Sequence, residues 1–331
     1  MKHNLRHLLT LVCLLAAGVL LAACGGSSEG GGGSAAQQPE GGGQPQGPQP
    51  IRPVSNPPRE TITVGSKNFE EQYILAEIYS QALEAAGYTI ETESDIGSEV
   101  VAFKALKQSE IDAYPEYTGT ALVNLLDVPF EDVPRAPPEA FQLTKAQYAE
   151  EGIVALPPTP FENSYRLGVT KETAQKLGNP TKISDLKAKA GELAITGYPE
   201  CRQRSDCLRG VERAYGLEFG EFVSSETPYE ILDNGEADVA FVFTTDGNLN
   251  SGQYQVLDDD KNFFPPYNVT LSMREEAFNQ LGQQGVAVIE SVQKPLTDEV
   301  MQELNSRVVI DKQEPEQVAE DYLQQFGFVQ G

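Results

Sequence analysis

Histidine is almost missing from this chain. Of 331 residues only two are histidine, His3 and His7, and both lie in a stretch that reads as an export signal, so the mature chain would carry none. That excludes Ser-His and Cys-His nucleophile pairs and every histidine metal site. Tryptophan is absent, and of four cysteines Cys13 falls within that signal and Cys24 at its end, leaving two, too few to replace histidine around a metal. Positive charge is also scarce: 24 Lys and Arg stand against 49 Asp and Glu, a formal net charge of −25. No basic run interrupts this, which argues against nucleic acid or anionic lipid as a partner. Long apolar runs are equally rare. One, over residues 8–23, is about 16 residues long, short of the roughly 20 that cross a bilayer, and no second one follows, so no polytopic membrane domain is expected.

What is present begins with a three-part export signal over 1–23: basic Lys2 and Arg6, the apolar run, and a small-residue cleavage site. Leu21-Ala22-Ala23-Cys24 has the form of a bacterial lipobox, whose cysteine takes a lipid and becomes the new N-terminus; an uncleaved anchor or plain secretion are the alternatives. Residues 24–58 are dominated by Gly, Ser, Gln and Pro and read as a flexible tether, spanning on the order of 30 Å as a coil. The expected location is outside the cytoplasm, held to the cell membrane through Cys24. With Cys13 and Cys24 set aside, Cys201 and Cys207 remain. In an exported chain so close a pair reads as a disulfide closing a small loop, with two free thiols as the alternative.

From residue 59 onward strand and helix patterns alternate. A β-rich run at 61–65 leads into 69–86, where Phe69, Tyr73, Ala76, Tyr79 and Leu83 recur at helical spacing and Gly87 supplies a stop. Strands at 88–93 and 111–114 alternate with helices at 99–108 and 118–126, which predicts an α/β fold on a parallel sheet. A proline-rich loop at 127–138, a helix at 139–151 and an apolar run at 153–156 follow. A second set starts at Tyr165: strand 165–170, helices 171–177 and 183–190, strand 192–196, helix 208–215 and strand 237–243. After Phe263-Phe264-Pro265-Pro266-Tyr267 come a strand at 268–273 and helices to the C-terminus, among them 297–307.

Two α/β lobes are expected, 59–163 with 268–331 and 164–267, the chain crossing twice between them beside Pro160 and Pro265-Pro266. A cleft between such lobes is where a small ligand binds.

Several segments now carry a resemblance: Thr63-Val-Gly-Ser-Lys-Asn-Phe69, Glu71-Gln-Tyr-Ile-Leu-Ala-Glu77, Ile111-Asp-Ala-Tyr-Pro-Glu-Tyr-Thr-Gly-Thr120, Thr245-Asp-Gly247 and Asp259-Asp-Lys-Asn-Phe-Phe-Pro-Pro-Tyr267. They resemble the glycine betaine/choline/carnitine family of ABC-transporter substrate-binding proteins, and weaker similarity at Phe161-Glu-Asn-Ser-Tyr165 and Met301-Gln-Glu-Leu-Asn305 extends the match over nearly all of 61–328. The resemblance implies a two-lobed, flytrap-like periplasmic binding protein of type II. It implies a monomeric, non-enzymatic carrier without cofactor or metal that presents a quaternary-ammonium ligand to an ABC permease.

Members of that family hold a trimethylammonium group among aromatic rings. The chemistry is plain: a quaternary ammonium has no N–H for a carboxylate to bond, whereas the negative faces of rings can enclose its methyls. Carried over position by position, the resemblance assigns Tyr117, Tyr165 and Tyr267 to the cage, with Phe243 at a position often tyrosine in relatives and Phe141 or Tyr148 as a further wall. Lys67 and Arg204 stand where relatives contact the ligand's polar end; Thr120 and Asn163 could add neutral bonds. Four ring faces give ~2–8 kcal/mol against about 8 for a micromolar complex, so the polar end must contribute.

Two departures bear on ligand choice. Arg166 follows Tyr165 where relatives carry a small residue, and the Cys201–Cys207 loop replaces a stretch that commonly reads Phe…Arg-Pro-Asp-Gly. Ergothioneine and carnitine are therefore alternatives to glycine betaine and choline. A Lys67–Arg204 pair lining the pocket would favour a betaine over choline, which has no carboxylate. A rival class is a carboxylate-pair hydrolase using Asp112 and Glu116; a third is a sensory domain presenting ligand to a separate receptor.

Overall fold

The computed structural model describes residues 49–331; the signal segment, Cys24 and the stretch as far as residue 48 lie outside the described residues. The end of the Gly/Pro-rich stretch is held in place, contrary to its reading as free tether throughout. Ile51 and Val54 pack against the core, and their amides donate to the carbonyls of Phe328 and Ala86 at 2.9 and 2.8 Å. These are isolated apolar residues among prolines, which lose little chain entropy on docking.

Among the described residues ten strands form two five-stranded sheets. The strands are β1 (Ile62–Gly65), β2 (Ile90–Glu93), β3 (Ala113–Tyr117), β4 (Ile153–Ala155), β5 (Tyr165–Thr170), β6 (Ala194–Gly197), β7 (Glu221–Ser224), β8 (Val239–Phe243), β9 (Tyr254–Leu257) and β10 (Val269–Arg274). The first sheet runs β2-β1-β3-β10-β4 and the second β7-β6-β8-β5-β9. Neither is wholly parallel. β10 lies antiparallel between β3 and β4, and β5 antiparallel between β8 and β9. Each of these inserted strands begins just after the chain has crossed from the other sheet, over 156–164 or 258–268, and enters from the cleft end rather than from behind a helix. A right-handed βαβ crossover, which would make it parallel, is therefore unavailable.

The crossings run side by side, joined by an antiparallel bridge between Glu162 and Asn268 and by Asn163 N donating to Tyr267 O at 3.2 Å. Pro115 sits in β3 without breaking it. Thr118 N donates to Asn268 O and Arg274 N to Asp112 O, so the odd-numbered amides of β3 point away from β10. On that other side pairing with β1 is confined to Val64↔Ala113, and the N–H that proline lacks has no ladder partner to lose.

The helix Glu70–Ala85 is buried on most of its surface, from Glu71 through Leu83. It lies between the first sheet and the C-terminal helices Glu275–Gln293, Asp298–Val309 and Pro315–Gln325. Thr297 caps the second of these by accepting from Val300 N. The helix expected over 118–126 is one helical turn, Thr118–Thr120, followed by a π-helical stretch, Ala121–Leu125. No helix of the described residues is long and apolar enough to cross a membrane.

Candidate ligand-binding site

A cavity of about 410 Å³ opens between the sheets. Its walls come from the carboxyl ends of parallel strands, where open α/β sheets present loops to a ligand: Lys67 after β1, Tyr117 closing β3, Tyr198 after β6 and Phe243 closing β8. Tyr165 opens β5 directly opposite Phe243 in register, and Tyr267 stands at the end of the second crossing, just before β10.

The rings gather around Tyr165. Its centroid lies 4.6 Å from that of Phe243 and 5.8 Å from that of Tyr267, the latter edge to face at 82°, with Phe264 behind it at 5.9 Å. Phe69 stacks on Tyr117 at 6.2 Å, and Tyr198 approaches Phe243 at 6.2 Å. Gly119 allows this closeness, because a side chain there would meet Pro266 O and the Tyr267 ring at 2.8 Å.

The structure brings Lys67, Tyr117, Thr120, Asn163, Tyr165, Arg204, Phe243 and Tyr267 to this one cavity. Phe141 and Tyr148 do not reach it. They belong to a separate cluster on the far side of the first sheet, where the fully buried Tyr148 ring stacks on Phe103 at 6.2 Å; the apolar face of their helix, Pro137–Glu150, turns toward β3 and β4 rather than toward the crossings. Sequence reasoning missed Phe69, Glu71, Tyr198 and Asp246, although Phe69, Glu71 and Asp246 lie inside the segments that carried the resemblance.

Of the three cations that line the cavity, Lys312 is exposed and the other two, Lys67 and Arg204, are already engaged. Lys67, 4% exposed, donates to Glu116 Oε1 at 2.5 Å, and its ammonium lies 4.4 Å from the Tyr117 centroid. Arg204 grips Asp206 with two prongs, Nε to Oδ1 at 2.8 Å and Nη2 to Oδ2 at 2.7 Å, and reaches Glu99 through Nη1 at 3.1 Å. Three of its five N–H groups are thus used and two remain. Tyr267 Oη donates to Asp206 Oδ2 at 2.8 Å, so one buried carboxylate aims both a cage ring and a guanidinium. Burial alone would raise the Asp206 carboxyl, but the Arg204 charge and the bonds from Arg204 and Tyr267 hold it below the usual range. Cys201 and Cys207 are joined in a disulfide whose small loop carries this arginine.

Because Lys67 and Arg204 each carry their own carboxylate, these two give the pocket no excess positive end with which to prefer a betaine over choline. Any such preference rests on the spare N–H groups of Arg204 and on the ligand displacing or sharing existing partners.

Asp246 shows the opposite environment. Burial, with the charges of Glu71 and Glu70 adding to it, pushes its carboxyl up to about 7 against hydrogen bonds from Phe243 N at 2.8 Å and Tyr229 Oη at 2.7 Å. A carboxyl raised above its unfolded value binds a proton in the native state that the unfolded chain has lost, so its contribution to stability declines between about pH 4 and pH 7. Asp246→Asn should therefore stabilise the protein increasingly across that window and level off above it, by ~1–3 kcal/mol; thermal melts at pH 5 and pH 8 check this.

The residues of a hydrolase reading are committed elsewhere. Asp112 is ion-paired to Arg274 and accepts from Thr63 N, while Glu116 is fully buried against Lys67 and Tyr114. Neither faces the cavity. Among the described residues no group of His, Cys, Asp and Glu is placed to hold a metal.

Comparison with known proteins adds the following. The family described as the substrate binding domain of ABC-type glycine betaine transport systems, OpuAC, matches residues 60–325. A glycine-betaine-binding protein of Pseudomonas aeruginosa is 34% identical over 281 residues, covering 80% of this chain and 88% of that one. The ergothioneine transport permease/ergothioneine binding protein EgtU of Helicobacter pylori is 31% identical over 270 residues, a match to 80% of this chain but 48% of that longer protein. A crystal structure described as a glycine betaine/carnitine/choline ABC transporter superposes with a TM-score of 0.67 at 25% identity, over 80% of this chain and 99% of that one.

Proposed function

The chain belongs to the family of substrate-binding domains of ABC-type glycine betaine transport systems and has the two-lobed α/β fold of type II periplasmic binding proteins, and we propose that its cavity captures a small trimethylammonium compound in an aromatic cage. The family is one of extracytoplasmic carriers that hand small ligands to a permease, and not a family of enzymes. For this chain the reading adds a lipid anchor on Cys24, a monomeric head, and a cage made by Tyr117, Tyr165, Tyr267 and Phe243. A carboxylate end would meet Arg204 and Thr120. The observation that carries it is the convergence of rings from both sheets and a crossing on one pocket, with Tyr165 at 4.6 and 5.8 Å from Phe243 and Tyr267.

Capture proceeds by closure. A ligand touching both lobes stabilises the closed arrangement by its differential affinity, and the bond from Arg204 in one lobe to Glu99 in the other is a contact that closure makes and opening breaks. Ergothioneine remains a second reading. EgtU is among the relatives, and about 410 Å³ lies within the roughly 300–1,000 Å³ of drug-sized pockets, more than glycine betaine fills.

Calorimetry of the purified protein with glycine betaine, choline, carnitine, proline betaine and ergothioneine tests this. At least one should bind in the micromolar range, with affinity rising from pH 6 to pH 8, because a cation in the cavity favours the charged form of Asp246 and releases its proton. Silence from all five at millimolar concentration would defeat the ligand class.

A further inference from the structure

Glu71 is a buried carboxylate without a counter-charge. It is 3% exposed, lines the cavity, and makes no ion pair among the described residues. Instead it collects four neutral donors from four parts of the chain. Tyr117 Oη and Asn163 Nδ2 donate to Oε1 at 2.7 and 2.8 Å; Thr245 Oγ1 and Asn305 Nδ2 donate to Oε2 at 2.5 and 2.8 Å. Both asparagines thus turn their nitrogens to Glu71, and their side-chain oxygens are left buried with no hydrogen-bond partner. Asn163 and Asn305 also line the cavity and are 6% and 5% exposed.

These groups add up to a patch of acceptors carrying a whole negative charge beside the cage ring of Tyr117. Neutral hydrogen bonds offset part of the cost of burying a carboxylate, and its place in the first turn of Glu70–Ala85 offsets a little more. The remainder is what a cation at about 4–6 Å removes. A quaternary ammonium suits such a patch, because its charge is spread over methyl hydrogens that can face carbonyl and carboxylate oxygens without any N–H. Lys67 does not fill the role, since its ammonium is given to Glu116.

Resting on the reading of the cavity as a trimethylammonium site, we infer that Glu71, with the side-chain oxygens of Asn163 and Asn305, is the electronegative floor that supplies the counter-charge to the ligand's head. Glu71 is then a specificity-determining residue: the rings select the shape of the head, and Glu71 selects its charge.

The test compares glycine betaine with 3,3-dimethylbutanoate, the same molecule with carbon in place of the quaternary nitrogen, by calorimetry on the native protein, Glu71→Gln and Glu71→Asp. The native protein should prefer the betaine by at least about 100-fold, and Glu71→Gln should shrink that ratio at least about tenfold by weakening the betaine alone. Glu71→Asp, which keeps the charge, should retain most of it. A merely structural Glu71 would weaken both compounds together and leave the ratio unmoved, which overturns the inference while the cage stands. If no trimethylammonium compound binds the native protein, the cage reading fails and takes this inference with it. Should Glu71→Gln not fold, a crystal structure of the native protein with glycine betaine decides: the ligand nitrogen within about 6 Å of the Glu71 carboxylate supports the assignment, and a clearly longer distance overturns it.

Discussion

Tyr165→Leu is expected to weaken binding of a trimethylammonium ligand by about 30- to 100-fold, which corresponds to ~2–3 kcal/mol. One ring face accounts for only about 0.5–2 kcal/mol of this. The rest follows from position: Tyr165 is the ring that Phe243, Phe264 and Tyr267 all touch, and the Arg204 guanidinium lies 5.5 Å from its centroid. Removing it costs one wall and loosens the others. Leucine keeps much of the apolar volume, so the melting temperature should fall by only a few degrees. Tyr165→Phe, which keeps the face, should bind within about threefold of the native protein, well under 1 kcal/mol. Equal losses in the two variants would show that the hydroxyl and not the ring mattered, and would count against the cage.

Asp206→Asn should produce the largest loss of stability. Asp206 is fully buried, holds Arg204 with two prongs and receives the Tyr267 hydroxyl. Losing one partner of a buried ion pair costs ~3–5 kcal/mol, because the other charge is left in a low-dielectric site. At roughly 2–4 °C per kcal/mol for a domain of this order of size, the melting temperature should drop on the order of 10 °C. Ligand affinity should fall too, since Arg204 and Tyr267 lose their common anchor. Glu99→Gln is the contrast. It removes the second, more exposed carboxylate of Arg204 and should leave stability nearly unchanged while altering the ease of closure. A drop in melting temperature for Glu99→Gln as large as for Asp206→Asn would show that Asp206 is not the anchor.

How far the sequence disclosed this molecule depends on burial and distance. Strand Tyr165–Thr170 and helices Lys171–Leu177 and Leu208–Tyr215 match their expected bounds, because each has a clear apolar period and turn residues at its ends. The strands Glu221–Ser224 and Tyr254–Leu257 went unseen. They are the two edges of the second sheet, where a strand is covered on fewer sides and its alternation is weak. The antiparallel insertion of β5 and β10 left no local trace, since it is decided by where the crossings deliver the chain. At the site, residues in recognisable segments could be placed, while their partners could not. Lys67–Glu116, Arg204–Glu99 and Glu71–Asn305 are separated by 49, 105 and 234 residues, and no periodicity reports such pairings. Phe141 and Tyr148 went astray for the complementary reason: an aromatic pair on an amphipathic helix looks the same whether that helix faces a ligand or a sheet.

The place of β10 in the first sheet also orders the assembly of the protein in time. That sheet lacks the strand joining β3 to β4 until residues 269–274 arrive, whereas the second sheet is drawn from the unbroken segment Tyr165–Leu257. A chain emerging N-terminus first can therefore finish its second sheet before its first. The earlier lobe must wait, open along β3 and β4, for the segment that follows its neighbour.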